Sequence, residues 1–123
     1  MIVRALKSKI HRAVVTGADI NYIGSISIDK KLMIAANLLE YEKVQVLNIT
    51  NGNRLSTYVI EAPEKSGEVC INGAAAHLVS PKDLIIIVSY CTINHDLLKD
   101  HHPSVVHVNK KNQVVDVYEP SSL

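Results

Sequence analysis

Alternation of apolar and polar positions runs through most of this chain, and one stretch departs from it at helical spacing. "SISID" (Ser25 to Asp29) alternates polar residues with Ile, which predicts a half-buried strand, with Asp29 placed to cap a helix after it. "KKLMIAANLL" then sets Leu32, Ala35, Ala36 and Leu39 on one helical face, predicting a helix over Lys30 to Leu39. "KVQVLNIT" and "RLSTYVIEA" predict a hairpin around "NGN" (Asn51 to Asn53), where Asn-Gly supplies the positive φ of a tight turn. "IVRALKSKIHRAVVT" alternates imperfectly and predicts two short strands or one bent one, closed by a turn at "GAD" (Gly17 to Asp19). "GEVCIN", "DLIIIVSY", "SVVHVN" and "QVVDVYE" predict four more strands, the last two paired around "KKN". Short helical turns fit "GAAAHLVSPKD", ending before Pro81, and "NHDLLKDHHP". Many short strands with few helices predict a mainly β protein, a closed β-barrel with small helices at its ends.

Composition sharpens this picture. At 123 residues the chain is expected to form one domain large enough to bury a core without a metal or disulfide staple. It is 47% hydrophobic with no Trp and no Phe, so Val, Ile, Leu and Ala must build that core. Thirteen basic and twelve acidic residues give a net charge of +1 with no block of one sign, which argues against a nucleic-acid or lipid-surface partner. The first residues lack a signal-peptide pattern, and no apolar run approaches the ~20 residues a bilayer span requires, so a cytoplasmic protein with no membrane partner is expected. Cys70 and Cys91 lie in apolar surroundings without CxxC spacing and read as reduced, buried thiols. His95, His101, His102 and His107 crowd one region, but their spacing matches no metal-site pattern, and solvated histidines are the expectation.

Three stretches carry possible chemistry. In "RLSTYV", strand periodicity puts Arg54, Ser56 and Tyr58 on one face and Leu55, Thr57 and Val59 on the other, so an anion clamp and a proton donor share a side. Cross-strand polar pairing explains the same pattern. "NGAAAH" (Asn72 to His77) leaves backbone uncovered, either for a ligand or for tight packing of a short helix. Lys9 and His11 share a face if "KIH" is extended. "YIGSIS" (Tyr22 to Ser27) sets Gly24 directly before Ser25 with no charge or metal ligand nearby.

"KIHRAVVTGADINYIGSISID", "NITNGNRLSTYVI" and "INGAAAH", in this order and spacing, resemble the bacterial aspartate 1-decarboxylases, a family carrying a covalent pyruvoyl group. The resemblance covers Lys9 to about Tyr90. It implies a six-stranded double-psi β-barrel with small helices, a homotetramer with active sites between subunits, and decarboxylation of L-aspartate to β-alanine and CO2 for pantothenate synthesis. It further implies that the chain cuts itself between Gly24 and Ser25 into a short chain (1–24) and a longer one (25–123), Ser25 becoming the pyruvoyl group that forms a Schiff base with substrate. Tyr22, His11, Thr57 and Asn72 are implied around the cut bond, with Thr57 and Asn72 steadying the oxyanion and the missing Cβ of Gly24 opening its carbonyl to attack. Tyr58 is implied as proton donor, and Lys9, Arg54, Thr57, Gly73, Ala74 and Ala75 as substrate-binding positions. A maturation helper protein is a candidate partner. The competing expectations are a pyruvoyl decarboxylase of another amino acid, and a β-barrel that keeps the pattern, does not process, and binds a small anion.

Overall fold

Strand-forming β-branched residues fill most of the chain, and the computed structural model, which describes residues 1–118, is accordingly mainly β. Nine strands form among the described residues: β1 (Ile2–Val14), β2 (Gly17–Asp19), β3 (Ser25–Asp29), β4 (Lys43–Asn48), β5 (Arg54–Ala62), β6 (Val69–Asn72), β7 (Leu84–Asn94), β8 (Ser104–Val108) and β9 (Val114–Tyr118). One α-helix, α1 (Lys30–Ala35), and two 3-10 helices, Gly73–Leu78 and His95–Asp100, complete the elements. The strands are hydrogen-bonded in the order β2-β6-β3-β5-β4-β7-β1-β8-β9. Parallel pairs (β1 with β8, β2 with β6, β3 with β5) are interleaved with antiparallel ones. The count of nine corrects the expected six.

Several sequence expectations hold. The bent first strand is one element with bulges between Leu6 and Ser8 and between Ile10 and Ala13, the second containing Arg12 at φ 65. β5 spans the predicted "RLSTYVIEA", and β8 pairs antiparallel with β9 as expected; Glu119, the last residue of that predicted strand, lies outside the described residues.

Others are corrected. "GAD" is not a turn but β2, paired in parallel with Cys70 to Asn72 of β6. The helix stops at Ala35 because Asn37 takes φ 55 and closes a Schellman cap, Leu38 N–H donating to Met33 O and Asn37 N–H to Ile34 O. The β4–β5 hairpin turns through the five residues 49–53 rather than a tight two-residue turn, with Gly52 at φ 79. β7 runs on past Tyr90 to Asn94.

The largest correction concerns β3, which is buried on both faces rather than half-buried. Ile26 and Ile28 enter the aliphatic core with Val44, Val46, Val59 and Ile71. The alternating polar side chains are also enclosed, and each finds hydrogen-bond partners. At the far end of β3, the Asp29 carboxylate accepts from Lys31 N–H (2.8 Å), Lys65 N–H (2.9 Å) and Gly67 N–H (2.8 Å), capping α1 and fastening the β5–β6 connection at once. Asp29→Ala orphans all three donors, an expected loss of about 3 kcal/mol. Thermal unfolding followed by circular dichroism should show the midpoint fall by roughly 10 °C; an unchanged midpoint would remove Asp29 from this role.

A second polar fastener ties the β8–β9 turn to the end of β1 and to the β5–β6 connection. The buried Asn112, in the β8–β9 turn, accepts from Val14 N–H (2.7 Å) and donates to Val14 O (2.8 Å) and Gly67 O (2.9 Å).

Candidate active site

The chain passes from outside to inside at one peptide bond. Ile20 through Gly24 are exposed, whereas Ser25, the first residue of β3, is 1% exposed. β3 runs antiparallel to β6, with Ser25 opposite Asn72 and Ser27 opposite Cys70, so these four side chains share the face away from Ile26 and Ile71. Their contacts form a small network. The Ser25 hydroxyl donates to Ile23 O (3.0 Å) and accepts from Asn72 Nδ2 (3.0 Å). The same Nδ2 donates to Ser27 Oγ (3.0 Å), and the Cys70 thiol donates to Asn72 Oδ1 (3.4 Å).

Directly after Asn72 the backbone turns at Gly73, φ 80, into the first 3-10 helix. A Cβ at Gly73 would lie 2.6 Å from Gly24 Cα and 2.8 Å from Gly24 N, so this glycine lets two backbones touch. Gly24 behaves differently from expectation: its φ is not in the left-handed region, and a Cβ there would meet nothing within 4 Å. The close approach at this bond depends on Gly73.

β5 lies on the other side of β3 in parallel register, Ile26 opposite Val59. Tyr58, one residue before Val59, therefore borders the Ser25 end of β3 on the same face as Ser25. The unbroken β4–β5 register keeps Arg54, Ser56 and Tyr58 on one face and Leu55, Thr57 and Val59 on the other, as periodicity predicts. Arg54 is exposed and makes no ion pair among the described residues. Thr57 is half-buried opposite Val44, and no hydrogen bond joins it to Gly24 or Ser25 among the described residues. Tyr22 is 54% exposed, and its carbonyl oxygen borders Gly73.

Loop chemistry fastens the flanking segments. The side-chain amides of Asn48, Asn51 and Asn53 all donate to Leu78 O, tying the loop before Arg54 to the helix that carries Gly73, Ala74 and Ala75. Ala74 is exposed and Ala75 half-buried.

Lys9 and His11 belong to another strand. They lie on β1, with β5, β4 and β7 between it and β3 in the sheet. His11 pairs in register with His107, their rings edge-to-face at 5.7 Å, and His107 Nδ1 lies 2.9 Å from Asp116 Oδ1. Burial, followed by the charges of His107, Lys9 and Arg12, lowers the His11 pKa. Among the described residues no three His, Cys, Asp or Glu side chains cluster as a metal site, and no helix is long and apolar enough to cross a membrane.

Two participants escape the sequence reading: Ser27 and Cys70, each bonded to Asn72. The signal was the period-two polar positions Ser25/Ser27 and Cys70/Asn72, which coincide only once the two strands are paired. Cys70 is also half-buried rather than buried; desolvation, then Glu68 and Asp19, raises its pKa, so the thiol keeps its proton and remains a donor.

Comparison with known proteins adds an independent line. The sequence pattern of the family described as Aspartate decarboxylase matches residues 1–115. The chain is 55% identical over 114 residues to an aspartate 1-decarboxylase of Campylobacter fetus, covering 93% of this chain and 98% of that one. Relatives of the same name from Clostridium botulinum (strain Loch Maree; 54%, covering 93% and 90%) and Clostridium beijerinckii (53%, covering 95% and 94%) match over similar lengths. With a match spanning nearly the whole chain and a buried serine held at the exposed-to-buried junction, this chain belongs to the aspartate decarboxylase family.

Proposed function

We propose that the chain cuts itself between Gly24 and Ser25 and, as a paired 1–24 and 25–123 enzyme, decarboxylates L-aspartate to β-alanine and CO2 in the cytoplasm, supplying pantothenate synthesis. The observation that carries this reading is the Ser25 hydroxyl, 1% exposed and held between Ile23 O and the Asn72 amide beside the bond to be cut. Family membership supports the reaction class.

The Ser25 hydroxyl attacks the Gly24 carbonyl carbon. The C–O bond forms as the C–N bond breaks, and the hydroxyl proton passes to the freed amine. Elimination across Cα and Cβ of residue 25 then releases the Gly24 carboxylate and leaves dehydroalanine. After tautomerisation, one water replaces ammonia and leaves a pyruvoyl group at position 25. The residues present fit a group made in this way: the precursor side chain is enclosed, and the neighbouring Asn72 amide offers a neutral donor.

Once formed, the pyruvoyl group supplies an electron sink for the charge left when CO2 departs. The protein's part is binding and proton control. Arg54, exposed and free of ion pairs among the described residues, grips a substrate carboxylate, which favours an acidic amino acid over a basic or neutral one. Tyr58 delivers the proton to the substrate Cα, and the Gly73 to Ala75 backbone lines the site. Lys9 and His11, on β1, are assigned to the same site through a homotetramer whose active sites lie between subunits, as the family resemblance implies. A helper protein speeds maturation only where the intrinsic cut is slow.

Intact mass under denaturing conditions tests this. The expected spectrum has two fragments meeting at Gly24 and residue 25, the longer one lighter by one ammonia than a serine terminus requires. The same sample should form β-alanine from aspartate faster than it turns over glutamate or histidine. A single chain that stays uncut after heating, or a preference for histidine, would overturn the reading.

A further inference from the structure

Asn72 presents an amide whose two ends are chemically opposite, and only one orientation donates to the Ser25 hydroxyl. Because Ser25 spends its own proton on Ile23 O, its oxygen needs a donor, which Asn72 supplies through Nδ2. Two further contacts accompany that orientation, the thiol's other acceptor, Ile71 O, lying farther away at 4.0 Å. Ser27 Oγ accepts from the same Nδ2 at 3.0 Å, and the Cys70 thiol donates to Oδ1 at 3.4 Å. Gly17 of β2 sits opposite Cys70, and a Cβ there would lie 3.3 Å from Sγ, so the strand pairing leaves the thiol little room to turn away. Ser27 is 8% and Asn72 4% exposed, which leaves little water to replace either partner.

We propose that Ser27 and Cys70 are positioning residues for self-cleavage: together they lock the Asn72 amide with its nitrogen toward Ser25, holding the Ser25 oxygen for attack on the Gly24 carbonyl. This rests on the self-cutting assigned to Gly24 and Ser25 above. Neither residue touches the cut bond, and their effect passes through Asn72. A flipped amide would set Oδ1 against the Ser25 oxygen, and the hydroxyl would have to turn its proton from Ile23 O to Oδ1, giving up the orientation it now holds.

The experiment follows the uncut fraction by intact mass after the chain is made, for the wild type, Ser27→Ala, Cys70→Ala, Cys70→Ser and the Ser27→Ala/Cys70→Ala pair. Ser27→Ala is expected to slow cutting about fivefold and Cys70→Ala about threefold, with the pair slower than either. Cys70→Ser restores a donor and should recover a rate near that of the wild type. Far-UV circular dichroism and the unfolding midpoint identify the folded variants; Ser27→Ala and Cys70→Ser carry the test if Cys70→Ala does not fold. Decarboxylation per processed chain should stay near the wild-type value, because Ser27 and Cys70 act before the group exists. If the wild type cuts and the folded variants cut equally fast, or if Cys70→Ser is as slow as Cys70→Ala, the positioning role is overturned while the decarboxylase reading stands. If the wild type itself never cuts, both fall.

Discussion

Ser25→Ala is expected to remain a single uncut chain and to form no β-alanine. On the proposed route the substitution removes at once the nucleophile that would open the Gly24 carbonyl and the atoms that would become the pyruvoyl group, so no residual route is expected. Its structural cost is small. The Ile23 carbonyl lies in an exposed loop and regains water, and the Asn72 nitrogen keeps Ser27 as an acceptor, so about 1 kcal/mol is the expected loss. Circular dichroism should therefore show a folded protein with a near-normal unfolding midpoint, separating lost chemistry from lost structure. Two fragments in the mass spectrum of Ser25→Ala would mean that another group cuts the chain.

Gly73→Ala is expected to slow cutting about a hundredfold without removing any group that reacts. Two costs combine. An L-residue in the left-handed region at φ 80 costs roughly 1–2 kcal/mol, and the new Cβ falls 2.6 Å from Gly24 Cα and 3.3 Å from Tyr22 O. Those are backbone atoms with no rotamer by which to retreat, and Asn72, the preceding residue, is held in register with Ser25. Relief requires the chain at Gly24 to shift, and a displacement near 1 Å at a reacting centre costs about a hundredfold in rate. Gly24→Ala provides the contrast, since its Cβ enters open space and cutting should persist. A time course of uncut chain for both variants checks the pair; equal rates for Gly73→Ala and wild type would show that the backbone contact does not govern the bond.

Local pattern reveals much of this fold, and its failures share a cause. β3, β5 and the β8–β9 pair announce themselves by alternation, and Asp29 by its place before a helix. β2 does not, because three residues reading as a turn become a strand only through Cys70 to Asn72, far along the chain. The polar face of β3 reads as solvent-facing for the same reason: a strand cannot show what will cover its serines. At the site, the resemblance singles out Ser25, Asn72 and Gly73, and the structure brings them together, whereas Ser27 and Cys70 emerge only when β3 and β6 are paired. Lys9 and His11 lie on β1, with β5, β4 and β7 between it and β3 in the sheet order, and strand alternation alone does not show how they relate to Ser25.

A cut at Gly24 would divide the molecule unevenly in sequence but not at a seam. The short piece contributes β1, thirteen residues hydrogen-bonded between β7 and β8, and β2, paired with β6, while Asn112 grips both backbone groups of Val14. β1 is an inner plank of the sheet, and severing one peptide bond after β2 leaves every one of those contacts in place. What changes is reversibility. The precursor folds as a unimolecular event, but the processed protein, once unfolded, must recapture a separate peptide, so its recovery becomes second-order and fades on dilution. The chain's own chemistry would thus erase the route by which the structure was first reached, and the enzyme's lifetime would be set by how slowly β1 escapes.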